Sequence, residues 1–226
     1  MICNVKSRSW YVELHSKYKD DFSDFKEVYK QMTKFEFDQN ISGRITILDA
    51  AHLYLLVRHY MPYIIMETEG NNGFITSLIA TALKKSNKDF RILIREKHPG
   101  PRIAAFERAK YFGYTQNIIG LNDESDNEIK AKLKMFGKID FVILRNNIQF
   151  NNILKYINNK ATAFFIGEHP IINLSCSHVQ QYMMPDELDH KDLIIGNWWD
   201  ILDSWDYISF GDQIFNKPYS TALFWE

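Results

Sequence analysis

Glu67, Thr68, Glu69, Gly70, Asn71, Asn72 and Gly73 form a polar stretch with two glycines. An apolar run, Tyr63-Ile64-Ile65-Met66, precedes it, and a segment in which Phe74, Leu78 and Ala82 recur every four residues follows. The run suits a buried strand and the recurrence suits a helix with a broad apolar face. A glycine-bearing turn between such a strand and helix lets the backbone come close to a bound molecule, the arrangement that holds nucleotide-like cofactors in doubly wound sheets. The same residues also suit an ordinary strand-to-helix loop. His52 and His59 lie seven apart on a second helical pattern, which is not the i, i+4 spacing that places two imidazoles on one zinc ion. Cys3 and Cys176 are too few for a thiolate metal site or a disulfide framework.

The elements that must position the turn follow from periodicity. Phe22, Phe25, Val28, Met32 and Phe35 share one helical face, with Asp20, Asp21 and Asp24 near its start, where acids oppose the helix dipole. This predicts a docking helix, a cap over a site. Ile47 to Tyr60 reads as a second helix with Leu48, Ala51, Leu55 and Leu56 inward, stopped by Pro62. After the turn and its helix, strands are expected over Phe90 to Glu96, Gln116 to Ile119, Ile139 to Leu144 and Thr162 to Ile166. Helices are expected between them: one opened by Pro101, with Ile103, Phe106, Ala109 and Phe112 inward; one marked by Ile129, Leu133 and Phe136; one by Phe150, Ile153, Leu154 and Ile157. Such alternation builds a parallel sheet covered on both faces, with ligands gathered at the carboxyl ends of the strands. Those ends are Glu67 to Gly73, Glu96, Leu121 to Asp123, Arg145 to Asn147 and Gly167 to His169. Pro170 to Asp192 reads as loop with helical turns, and Trp205 to Phe210 with Ser220 to Trp225 as a terminal β-hairpin.

The bulk numbers bound the classes. A chain of 226 residues, 46% hydrophobic, is long enough for one full domain with an appendage. Met1 to Trp10 has no apolar segment of a secretory signal, and no run is long enough to cross a bilayer, so a reducing cytoplasm is the expected compartment. Residues 161–226 hold two of the 27 basic residues and ten of the 28 acids, which leaves residues 1–160 net basic. The excess is diffuse, without the basic run interleaved with aromatics that marks a nucleic-acid surface. Trp198, Trp199 and Trp205 suit either core or interface, so the oligomeric state stays open.

The residues then carry a likeness. From Ile47 to Glu226 the chain resembles the S-adenosylmethionine-dependent methyltransferases of the Rossmann-like fold, closest to the O-methyltransferase-like group. Glu67 ends the first strand, and Gly73-Phe74-Ile75-Thr76 is similar to the end of that group's first motif. Glu96 lies 23 residues past Gly73, and Glu96-Lys97-His98-Pro99 resembles its Glu-x-Asp-Pro. The resemblance implies an α/β, Rossmann-like, doubly wound and mostly parallel sheet with a C-terminal antiparallel hairpin and N-terminal helices. It implies residues 1–45 as a helical extension or cap and 46–226 as the methyltransferase-like domain. It implies S-adenosylmethionine as cofactor, held by Glu67, Glu69, Gly70, Gly73 and Glu96, with Asn122 or Asp123 beside Leu121, where an adenine-binding acid is common. Glu96 would accept both ribose hydroxyls.

The departures shape the rest. Glu69 and Asn71 stand where glycines are usual. Arg145 replaces the acid that would hold a divalent ion at the end of the fourth strand, and a cation site needs oxygen ligands, so no metal is expected. The implied reaction is metal-independent transfer to a small-molecule acceptor near Arg145 and Asn147, with Glu168 or His169 as base where the acceptor must lose a proton. The other reading keeps the fold and loses the catalysis, as a binding or assembly module.

Overall fold

The computed structural model describes residues 13–14, 16–39, 45, 47–86, 88–121, 126–144, 153–165, 181–183 and 221–224. In chain order the elements are α1 (Asp21–Gln39), α2 (Ile47–Tyr60), β1 (Ile64–Glu67), α3 (Phe74–Lys84), β2 (Arg91–Arg95), α4 (Pro99–Tyr111), β3 (Ile118–Leu121), α5 (Asp126–Phe136), β4 (Ile139–Leu144), β5 (Ile157–Phe165), β6 (Gln181–Met183) and β7 (Thr221–Phe224). The seven strands form one sheet in the order β3-β2-β1-β4-β5-β7-β6. β1 to β5 run parallel, and β7 lies antiparallel to both β5 and β6.

Strands of this sheet are apolar at successive positions because both faces are covered. Ile65, Ile92, Ile94, Phe141 and Ile143 point into a core shared with α1 to α4. Their neighbours Ile64, Met66, Leu93, Val142 and Leu144 point into a second core that includes Ile129 of α5. β1 sits centrally between β2 and β4, and β4 carries the chain onward to β5. The strand-order reversal therefore falls beside β1, at the end of which the Glu67–Gly73 turn begins. α3 buries nine of its eleven residues under the sheet. Each large apolar side chain so buried contributes about 1.5–3 kcal/mol relative to exposure, so α3 is firmly anchored to the sheet.

Several expectations are corrected. α4 buries only part of the face read from its apolar residues: Ala109 is buried and Phe106 and Phe112 pack against the core, but Ile103 turns outward. Ala105, Arg108 and Ala109 are buried, whereas Ile103 is 59% exposed. Small residues win that face because α4 approaches the Gly73 turn closely. α4 also starts at Pro99, so both prolines lie in the first turn, where a missing N–H costs nothing. No long helix fills 153–157: a 3-10 turn, Leu154–Tyr156, leads straight into β5, because Ile157 already pairs with Ile139. β3 begins two residues later than expected, after a 3-10 turn at Thr115–Asn117. β6 arises within the stretch read as loop and pairs antiparallel with β7, which also pairs antiparallel with β5. Residues 205–210 lie outside the described residues.

At the N-terminal side, the acids that suit the start of α1 also make ion pairs. Arg58 of α2 donates to both carboxylate oxygens of Asp21, at 3.2 and 3.3 Å, and Lys85 pairs with Asp24. α1 is thereby fixed to α2 and to the end of α3. Among the described residues no helix is long and apolar enough to cross a membrane.

Candidate functional site

The turn between β1 and α3 is tied to the neighbouring strands by hydrogen bonds that its sequence dictates. Thr68 donates to the Ile143 carbonyl of β4 twice, from its N–H at 3.1 Å and its hydroxyl at 3.2 Å. The Gly70 N–H reaches the Arg95 carbonyl of β2 at 3.3 Å, and the Gly73 N–H closes back onto the Gly70 carbonyl at 2.9 Å. Gly73 has no side chain to cap α3, so Asn72 does it: its Oδ1 accepts the Phe74 N–H at 3.3 Å. The turn thus spans the carboxyl ends of three adjacent parallel strands, β2, β1 and β4.

Both glycines have identifiable causes. A Cβ on Gly70 would run into the Cγ2 methyl of Ile94. Gly73 has φ +78°, and a Cβ there would lie 2.8 Å from the Ala105 Cα of α4. Asn71, where a glycine is usual, has φ +43°. Asparagine is among the residues that tolerate this left-handed region, so the backbone shape survives the substitution.

Glu96 joins the turn from the tip of the second strand. It is 6% exposed. Its Oε2 accepts the Asn71 N–H at 2.9 Å and its Oε1 accepts the His98 N–H at 2.8 Å. A carboxylate offers about four lone-pair sites, so two amides leave capacity for two more donors. Glu69 is half-buried, and its carbonyl accepts from the Asn71 side-chain amide at 3.3 Å. Glu67 points inward. It is 1% exposed, and its Oε2 accepts the Thr76 hydroxyl at 2.5 Å. That bond ties the last residue of β1 to the first turn of α3.

Glu67, Glu69, Gly70, Gly73 and Glu96 are therefore brought together. Asn122, Asp123, Arg145, Asn147, Glu168 and His169 lie outside the described residues. Among the described residues no group of three His, Cys, Asp or Glu side chains could hold a metal ion. Sequence reasoning missed a buried layer behind the turn. The Ser77 hydroxyl donates to the Gly73 carbonyl at 2.8 Å and pairs with the Tyr114 hydroxyl. Burial pushes the Tyr114 phenol well above its usual range, Ser77 and Arg108 pull it down, and Glu67 pushes it up. Ser77 could have been noticed as a hydroxyl residue inside an otherwise apolar helix; Arg108 and Tyr114 carry no local signal. A surface groove of about 550 Å³ lies elsewhere, along Arg102, Ile103, Phe106 and Lys110 of α4 and Gly120 of β3.

No protein-family model matches the sequence, and no curated protein matches it either. Solved structures do match by shape. A Thermotoga maritima S-adenosylmethionine-dependent O-methyltransferase superposes with a TM-score of 0.53 at 10% identity, over 83% of this chain and 68% of that one. A Podospora anserina methyltransferase with S-adenosylhomocysteine (SAH) bound gives 0.50 at 15% identity, over 89% and 87%. An O-methyltransferase from Bacillus cereus in complex with SAH gives 0.51 at 13% identity, over 62% of this chain and 65% of that one, so the match spans less than two thirds of the relative's length. The chain has the Rossmann-like α/β fold seen in S-adenosylmethionine-dependent O-methyltransferases.

Proposed function

We propose that the chain is an S-adenosylmethionine-dependent methyltransferase that works without a metal ion on a small-molecule acceptor. The observation that carries this reading is Glu96: a nearly buried carboxylate at the tip of β2, clamped to the β1–α3 turn through Asn71 and retaining acceptor capacity. Two vicinal hydroxyls of a ribose are the donors such a carboxylate suits. The cofactor would supply a methyl group on a sulfonium centre. Glu96 would hold its ribose, the backbone of Glu69 to Gly73 would line its amino-acid end, and Asn122 or Asp123 would meet the adenine. Glu67 supports that turn from behind through Thr76. Arg145 and Asn147 would orient the acceptor, and a guanidinium favours an anionic one. Glu168 or His169 would take the acceptor's proton where it has one to lose. Residues 1–45 would serve as a cap and 46–226 as the catalytic domain.

One observation favours the alternative of a non-catalytic binding module. Gly70, Gly73 and Glu96 each have an internal task, against Ile94, Ala105 and the two amides, so packing alone accounts for them. Release of SAH from S-adenosylmethionine, followed across a panel of phenolic, carboxylate and amine acceptors, separates the two. Turnover that disappears in Glu96→Gln supports the enzyme. A cofactor that binds with no turnover on any acceptor supports the module.

A further inference from the structure

Arg108 is entirely buried on α4, with two aromatic rings close to its guanidinium. Its guanidinium carbon lies 4.9 Å from the Phe35 ring centre and 5.6 Å from that of Phe74. Both distances are within the range of cation–π attraction, and the planar guanidinium stacks on rings in a way an ammonium does not. Phe74 immediately follows Gly73, and Phe35 belongs to α1, remote in sequence. Tyr29, also on α1, meets the Phe74 ring edge-on at 5.6 Å between centres. One helical turn before Arg108, Ala105 packs on the Gly73 backbone. α4 therefore meets the turn twice, at Gly73 through Ala105 and at Phe74 through Arg108. α1 meets it through Tyr29 directly and through Phe35 on the same guanidinium.

We propose that Arg108 is a positioning residue through which the docking of α1 sets the conformation of the Gly70–Phe74 turn, and with it the affinity of the site for its ligand. The chain of contact runs Phe35, Arg108, Phe74, Gly73, and none of the first three needs to touch a ligand. This explains why a buried cation sits in a face otherwise made of alanines. A guanidinium within cation–π reach of two rings at once offers more than the point charge of a lysine.

Amide hydrogen exchange over residues 68–77 tests this without any ligand. Arg108→Met and Phe35→Leu should each speed exchange there by about tenfold. The double variant should be little faster than either single one, because both remove the same contact. Arg108→Lys should resemble Arg108→Met, and Ile103→Ser, on the exposed side of α4, should leave the turn unchanged. Should Arg108→Met fail to fold, Phe35→Leu, at a half-buried position, carries the test. A second arm rests on the methyl-transfer reading: SAH affinity should fall in step with the exchange rates. A wild type that fails to bind SAH would sink that reading while the exchange arm still decides this one. Folded Arg108→Met and Phe35→Leu proteins with wild-type exchange at 68–77 would overturn the proposal.

Discussion

Replacing Gly73 by alanine combines two costs that a second glycine allows to be separated. Gly73 has φ +78° and Gly113 has φ +71°, so an alanine at either site enters the left-handed region. That conformation costs an L-residue about 1–2 kcal/mol. At Gly113 the new Cβ would meet only the Lys84 Nζ at 3.5 Å, an ordinary contact with the end of a flexible side chain. At Gly73 it would meet the Ala105 Cα at 2.8 Å and the Ala105 Cβ at 2.9 Å. Those atoms belong to a helix packed on α3 and cannot swing aside, so the overpacking adds about 1–3 kcal/mol. Gly113→Ala should therefore lose about 1–2 kcal/mol and Gly73→Ala about 2–5 kcal/mol. Urea unfolding with a common m-value reads both. Equal losses at the two sites, within about 0.5 kcal/mol, would refute the claim that Gly73 is required by the close approach of α4.

Other consequences can be checked together. On α4, Ala105→Leu should destabilise by roughly 2–3 kcal/mol through the same clash, whereas Ile103→Ser should change stability by no more than about 0.5 kcal/mol, which reverses the order expected from residue size alone. Burial raises the phenols of Tyr114 and Tyr54 above their usual range. A raised folded pKa contributes stability that is present below the unfolded value, about 10, and is lost as pH rises beyond it. Stability should thus fall above about pH 10, and Tyr114→Phe should flatten that fall in pH-dependent urea melts. The Lys155 hydrogen bond to Asp126 holds that carboxyl below its usual range. Lys155→Met should let the Asp126 pKa rise toward the ordinary carboxylate value, read by NMR titration.

The strands were legible because a parallel sheet covered on both faces demands unbroken apolar runs, and β1, β2 and β4 supply them. The turn was legible from Gly70 and Gly73, set between an apolar strand and an apolar helix, and from the later Glu96 at the tip of the next strand. The buried face of α4 was legible only in part: Ala109 lay on the face read, whereas Ala105 and Arg108 did not. Apolar periodicity weighs side-chain size, whereas that face was selected for close approach and carries Ala105, Ala109 and a cation. Arg108 on this face belongs to contacts with Phe35 and Phe74 that join residues 73 and 34 positions apart and leave no local pattern. The start of β5 was missed because Ile153, Leu154 and Ile157 have helical spacing, and only the pairing of Ile157 with Ile139 places it in the sheet. Asn71 counted as a lost glycine by residue type, yet its φ of +43° keeps the shape a glycine would give.

Titration calorimetry of the full chain with SAH tests the central claim most directly. The wild type should bind with a one-to-one stoichiometry. Glu96→Gln, which keeps the shape and one carbonyl-type acceptor but loses the charge, should weaken binding by about 1.5–3 kcal/mol, roughly tenfold to a hundredfold. Absence of binding by the wild type at millimolar SAH, or binding that Glu96→Gln leaves unchanged, would contradict the assignment of the β1–α3 turn and Glu96 to the cofactor.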